Sequence, residues 1–314
     1  MRALGPEPIS GVGHRVARRP IILAGFLAAA FGVLGLRPAA AATLGWGDGV
    51  NLQPSYVRQG DVDLGWNLLV AQKKIRTVRI EIEPAVPIAT VQRWLREAHA
   101  HGLTVIATYH HYPFNGSDSV AELQNAAKWW RANYAELVAA GPLVINLMNE
   151  WGSHQQTPAS FAAAYNPAVA LVREVYRGPV VVDLPGWGQE IHLATEAARL
   201  LADDNLVFSV HVYPSAWVEF GAHHWMTPAD LDALADCGRP VLVGEFGGLR
   251  SGGADWSALV DRAKAKGWTV LGWAWNGDGE GMNMVLPEWE KQPDTKQFKP
   301  GPYFDTVYRK LREP

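Results

Sequence analysis

Short apolar runs rich in β-branched residues recur along this chain, and each is followed by a stretch with helical spacing. The runs are Val50–Gln53, Ile75–Ile82, Thr104–Tyr109, Leu143–Asn149, Val180–Leu184, Leu206–Tyr213, Val241–Glu245 and Thr269–Trp275. Segments such as LVINL, VVVDL and VLVGE are continuously apolar, as strands covered on both faces must be, and this marks a parallel sheet. Between them lie amphipathic stretches at Val62–Lys74, Ala89–His99, Val120–Ala139, Pro158–Arg177 and Ala229–Asp236. Thr157-Pro158 and Thr227-Pro228 each set a capping hydroxyl before a proline at the first helical position. Ser119 and Glu122 have capping-box spacing, and Gly141, Gly238 and Gly267 follow last turns. Eight such βα units in about 270 residues is the size of a closed (β/α)8 TIM barrel. A doubly wound open sheet uses the same alternation. With no linker or low-complexity tract in residues 43–314, one domain is expected there.

Residues 1–42 read as an address. Arg2, Arg15, Arg18 and Arg19 precede an uncharged stretch from Pro20 to Leu36, and Ala39–Ala42 offer small-residue cleavage positions. This is the pattern of a cleavable signal peptide, and Arg18-Arg19 is compatible with the twin-arginine type. The apolar run is shorter than the roughly 20 residues a spanning helix needs. The expected product is a secreted, extracellular chain with no membrane attachment after cleavage. Without residues 1–42 it carries 23 basic and 30 acidic residues, a formal net charge of -7. No polybasic run remains, so nucleic acid is not an expected partner. The single cysteine, Cys237, excludes an internal disulfide framework and a cysteine-built zinc cluster.

In a TIM barrel the C-terminal strand ends form the face that carries chemistry. Here those ends collect polar and aromatic residues. The second strand carries Arg79, the third ends in Tyr109-His110-His111-Tyr112, and the fourth in Asn149-Glu150-Trp151. The sixth ends in His211-Val212-Tyr213, the seventh in Gly244-Glu245-Phe246-Gly247, and the eighth in Trp273-Ala274-Trp275-Asn276. Any one such residue is more often a structural polar group than a catalyst, but six ends of eight behaving so points to a site. Two carboxylates on opposed strand ends suit glycosidic bond cleavage, which needs one protonated and one ionised carboxyl.

The segments NLMNE (146–150) and VGEFG (243–247) resemble the acid/base and nucleophile motifs of retaining glycoside hydrolases of family 5, a family of (β/α)8 barrels. The resemblance spans all eight strands. Segments 180–190, 207–213, 240–248 and 272–279 most resemble bacterial β-mannanases. It implies Glu150 as acid/base and Glu245 as nucleophile, with Asn149 holding the sugar 2-hydroxyl. Arg79 and Tyr213 would contact the nucleophile, His211 would lie near the acid/base, and His110 would face the sugar being attacked. Trp275 would be the platform under that sugar, with Trp273 the second candidate. Trp151 departs from the family, standing where many relatives have proline.

The expected activity is endo-acting hydrolysis of a β-1,4-linked polysaccharide by a monomer, mannan first and β-glucan second. The rivals are a catalytically inert polysaccharide-binding barrel and an exo-acting or transglycosylating enzyme. No cofactor is expected. Neither His110-His111 nor His223-His224 is expected to bind metal, because adjacent side chains on a strand point oppositely. Asp278 and Glu280 are expected in a solvated turn rather than around calcium. Trp129-Trp130 is expected in the core, whereas Trp187, Trp217 and Trp225 fall on or just beyond βα loops, where sugar stacking and packing are equally expected.

Overall fold

A computed structural model describes residues 44–313; the expected signal peptide lies outside them. Eight parallel strands close into a barrel. They are β1 (Gly49–Leu52), β2 (Thr77–Ile82), β3 (Thr104–Tyr109) and β4 (Val144–Asn146), then β5 (Val180–Asp183), β6 (Leu206–Val212), β7 (Val241–Phe246) and β8 (Val270–Gly272). Closure by β1 pairing with β8 decides for the barrel over the open sheet. The helices that follow the strands are α1 (Trp66–Ala71), α2 (Ile88–Ala100), α3 (Val120–Val138) and α4 (Pro158–Arg173), then α5 (Ile191–Ala197), α6 (Pro228–Ala235), α7 (Trp256–Ala265) and α8 (Phe304–Arg312). No helix among the described residues is long and apolar enough to cross a membrane.

The boundaries differ from the sequence reading mostly by shortening. The fourth strand ends at Asn146 rather than Asn149, and the eighth at Gly272 rather than Trp275. In both places the chain leaves the ladder to present its residues at the barrel mouth. Helix starts follow the caps read from the sequence. Thr157 with Ser160 and Thr227 with Asp230 form reciprocal capping boxes. Ser119 accepts from the amide of Glu122, but the Glu122 carboxylate instead serves Tyr109 and His111.

Strand alternation builds the barrel interior in layers. Ile106, Val181, Val207, Leu242 and Leu271 form an apolar floor, separate from the large core between sheet and helices. Two residues further along a strand the same face recurs, and there stand the buried Thr108, Asp183 and Ser209. His110 and His211 come two residues later again. A purely structural barrel would continue with branched aliphatic residues. This one turns polar toward the C-terminal ends.

A bulge sets the last of these positions. Val210 pairs with Val243, but His211 pairs with Glu245, so Gly244 is an extra residue on β7. It must be glycine, because a Cβ there would meet Ser209 Oγ at 2.1 Å. The extra residue turns Glu245 inward beside His211.

The tryptophan excess is largely structural. Trp94, Trp130, Trp151, Trp275 and Trp289 are fully buried, and each indole donates to a backbone carbonyl, which satisfies the one polar atom a buried tryptophan carries. Trp129 packs half-buried beside Trp130.

Candidate active site

The loops at the C-terminal ends of the strands enclose a cleft of about 1430 Å³. Its floor holds Asn149, Glu150, Glu245, Tyr213, His110 and Trp273. Tyr56 and Tyr112, after β1 and β3, line one wall, and Trp187 and Trp225, after β5 and β6, line the other. These four aromatic residues are all exposed, Trp187 at 43% and Trp225 at 48%, so their faces are available to a ligand lying along the cleft. Trp217 is half-buried and packs edge-on against Trp225.

Arg79 organises the floor. Its fully buried guanidinium donates to Asn146, Asn51, Glu81, Glu245, Asn149 and Asp183. The contact to Glu245 Oε1 is 2.8 Å, and that to Asp183 Oδ2 is 3.0 Å. A buried cation needs counter-charge and filled donors, and three carboxylates provide both. Burial opposes its charge, but Asp183, Glu245 and Glu81 outweigh burial and raise its pKa. Arg79 and its neighbours in turn hold Asp183 well below the carboxylate range, against the effect of burial.

Glu150 and Glu245 face each other around His211, with their nearest carboxylate oxygens within 4.8 Å. His211 Nδ1 lies 2.8 Å from Glu150 Oε1 and 3.5 Å from Glu245 Oε1. Burial acts against charging this imidazole, but Glu245 and Asp183 overcome it and lift its pKa to about 10. The raised pKa favours the imidazolium, whose Nδ1–H is placed to donate to Glu150. Tyr213 donates to Glu245 Oε2 at 2.6 Å, so both oxygens of Glu245 have a donor. Burial raises the Glu245 pKa and the charge of Glu150 adds to that, while His211, Arg79 and Tyr213 oppose. Glu150 sits on left-handed backbone, with φ of 46°, a conformation that costs a non-glycine residue of order 1–3 kcal/mol and concentrates at functional sites. Its amide is held by Asp183 and its carbonyl by the amide of Gly116.

His110 occupies the neighbouring corner. Its Nε2 is 3.4 Å from Glu81, and its Nδ1 is 2.5 Å from Tyr56 Oη and 3.3 Å from Glu83. Burial disfavours its charged form, but Glu81 and Glu83 on either side prevail and raise its pKa. His111 points away, onto Glu122 of α3 and the ring of Phe114.

Of the residues expected in the site, the structure brings together Arg79, His110, Asn149, Glu150, His211, Tyr213, Glu245 and Trp273. Trp275 is a correction. It is fully buried, and its indole donates to the carbonyl of Leu64 at 3.0 Å. The strand ends at Gly272, so Trp273 and Trp275 do not share a pleated face. Trp273 is the one that lines the cleft, held by Asp278 at 2.9 Å. The other oxygen of Asp278 accepts from the amides of Glu280 and Met282. Sequence reading missed Glu81, Glu83, Asp183, Asn51 and Tyr56. Counting two residues along β5 from the floor residue Val181 finds Asp183, but only once the floor is known.

The family model for "Cellulase (glycosyl hydrolase family 5)" matches residues 66–279. The chain is 28% identical over 235 residues to a mannan endo-1,4-beta-mannosidase of Streptomyces lividans, covering 69% of this chain and 58% of that protein. A second protein of that description, from Cellvibrio japonicus, is 25% identical over 207 residues, covering 63% of this chain and 47% of that one. The chain thus spans about half the length of these relatives. In fold it is similar to the mannanase catalytic domain from Streptomyces sp. SirexAA-E, with TM-score 0.66 and 24% identity over 84% of each chain. It is equally similar to an endoglucanase catalytic domain from Thermobifida fusca, with TM-score 0.67 and 16% identity over 85% of this chain and 92% of that one.

Proposed function

This chain belongs to glycosyl hydrolase family 5 and is a glycoside hydrolase, and from that premise we propose a retaining, endo-acting hydrolase of β-1,4-linked mannan. The observation that carries the mechanism is the pair Glu150 and Glu245, whose carboxylate oxygens approach within 4.8 Å across an open cleft. Retaining glycosidases hold their carboxyls about 5–5.5 Å apart, whereas inverting ones leave about 6.5–9.5 Å for a water.

The two carboxyls are too close to be charged together without cost, so the pair favours holding one proton. Arg79 and Tyr213 each donate to an oxygen of Glu245 and suit it to act as the nucleophile, which gives the acid/base role to Glu150. In the first step Glu245 attacks the anomeric carbon as Glu150 protonates the departing glycosidic oxygen. A glycosyl ester on Glu245 results. Glu150, now a carboxylate beside the His211 imidazolium, takes a proton from water, and that water displaces Glu245. Two inversions retain the β configuration. Asn149 Oδ1 accepts from the Arg79 guanidinium, which orients the amide nitrogen to meet the 2-hydroxyl of the sugar. Trp273 is the platform in this reading, and His110 faces the same sugar.

The relatives named for mannan support mannan as substrate. β-1,4-Glucan is the second reading, supported by the family description and by a 27% identical relative named beta-mannanase/endoglucanase A. Aromatic residues on both walls suit a chain that runs through the cleft, hence endo action. Residues 1–42 are read as an export signal, so the enzyme acts outside the cell. NMR of early products from mannohexaose and cellohexaose tests both chemistry and substrate. Retained β-anomer from the mannan oligomer is expected. An inverted product would overturn the mechanism, and turnover of the glucan oligomer alone would overturn the substrate.

A further inference from the structure

The loop after β6 folds into a two-stranded hairpin, pairing Trp217–Val218 with His224–Trp225, and its far strand is moored by a cluster distinct from the cleft carboxylates. His224 Nε2 lies 3.3 Å from Asp230 Oδ1, and His192 Nε2 lies 2.8 Å from the same oxygen. The three ligand atoms are within 4.8 Å of one another. They come from three separate elements: His192 from α5, Asp230 from α6 and His224 from the hairpin.

The donor set is that of a borderline divalent ion. Two imidazoles and one carboxylate suit zinc at about 2.0–2.2 Å from each atom, with water in the remaining position. Tetrahedral ligand atoms at such bond lengths stand about 3.3 Å apart. The two histidine–aspartate separations are 2.8 and 3.3 Å, and the two imidazole nitrogens lie within 4.8 Å of each other, so side-chain adjustment admits the ion. The carboxylate is already oriented from behind: Asp230 Oδ2 accepts from the amide and hydroxyl of Thr227 at 2.7 and 2.8 Å. Such outer hydrogen bonds hold a ligating carboxylate in place. Asp230 is buried, while the side chains of His192 and His224 are 34% and 42% exposed, which leaves a path for an ion and room for its water.

We infer that His192, His224 and Asp230 form a zinc site that fastens the 217–225 hairpin to α5 and α6, and thereby sets Trp225 on the wall of the cleft. Trp225 follows His224 directly and stacks edge-on with Trp217 at 5.1 Å. The expectation of no metal considered His223-His224 as an adjacent pair. The structure instead joins His224 to partners that are distant in sequence.

The test uses the full chain, stripped with a chelator, and needs no glycan. Calorimetric titration with zinc should show one equivalent bound. Saturation near 100 times Kd should raise Tm by about 5 °C. Cobalt in place of zinc should give visible ligand-field absorption. His192→Ala and His224→Ala should each weaken zinc at least tenfold and remove the cobalt bands. Asp230→Asn should do the same, and it retains an acceptor for the α6 cap. The cleft offers a competing set in Glu150, His211 and Glu245, so Glu150→Gln is the control, expected to bind zinc as wild type does. Zinc binding that survives the paired His192→Ala and His224→Ala change, or is lost in Glu150→Gln, would overturn the inference. So would the absence of zinc binding to wild type, which would leave the cluster a histidine–aspartate ion pair only.

Discussion

Nη1 of Arg79 stands 2.8 Å from Oε1 of Glu245, with the two side chains 0% and 5% exposed. That contact joins the floor of the barrel to the residue read as the nucleophile. It explains why one guanidinium serves six acceptors: the fork fixes position as well as charge.

Arg79→Lys keeps the charge but loses the fork. A lysine ammonium has three donors on a flexible stem and cannot reach the six acceptors now served. Steady-state kinetics should show kcat/KM lower by about 10²–10³, the range found when one positioned electrostatic donor is removed. Arg79→Ala would leave Glu81, Asp183 and Glu245 without their shared cation, and thermal unfolding should register a loss of about 3–5 kcal/mol. Near-wild-type kcat/KM for the lysine variant would refute the orienting role.

Glu81 makes stability depend on pH. Burial is the largest influence and pushes its carboxyl up to about 7 from 4.5, with His110 and Arg79 opposing, and its Oε2 lacks a hydrogen bond within range. A pKa raised on folding means that the folded state holds the proton more tightly. The contribution is complete below pH 4.5 and is lost as pH rises through 7. Glu81→Gln, neutral throughout, should flatten Tm between pH 4.5 and 6.5, below the range where loss of the His211 proton adds its own decline. The slope removed should correspond to on the order of 3 kcal/mol across the full transition. Identical slopes in both proteins would show that Glu81 is ionised in the fold across that range.

The bulge is open to a double-mutant cycle. Gly244→Ala places a Cβ 2.1 Å from Ser209 Oγ and 3.0 Å from His211 Nε2, so it should cost about 1–3 kcal/mol and lower kcat by displacing Glu245. Ser209→Ala removes the nearer clashing atom. Combined with Gly244→Ala it should recover most of the loss, a coupling energy of at least about 0.5 kcal/mol between contacting sites. Additive losses in denaturation and kinetics would mean the bulge tolerates a side chain by another route.

Trp273 and Trp275 should separate activity from folding. Trp275→Ala removes a fully buried ring and should cost about 3–5 kcal/mol in stability. Trp273→Ala should lower kcat/KM on mannohexaose at least tenfold while the unfolding midpoint moves less than in Trp275→Ala. The reverse pattern, read by calorimetry and by hydrolysis rates, would restore Trp275 to the cleft.

Much of this molecule was legible along the chain. β-Branched runs, caps and the alternation of strand with helix are local signals, set by short-range sterics and hydrogen bonding. The residues at the strand ends could be read as one site because a barrel gathers every C-terminal end on one face. Glu150, Glu245, Arg79, His110 and Tyr213 were singled out in this way, and the family resemblance supplied the roles expected of them. Trp275 was misplaced because where a strand stops is decided by what the next segment packs against, and here the indole fits beneath the carbonyl of Leu64. Glu81 and Asp183 went unnoticed because an acidic residue inside a strand acquires meaning only when closure sets it around Arg79. His192, His224 and Asp230 share no spacing rule, and only the packing of α5, α6 and the hairpin makes them neighbours. What the sequence determined alone was the order of elements and the chemistry available at their ends. What the tertiary structure decided was which side chains meet, because inward-facing parity, the Gly244 bulge and loop packing are properties of the closed barrel.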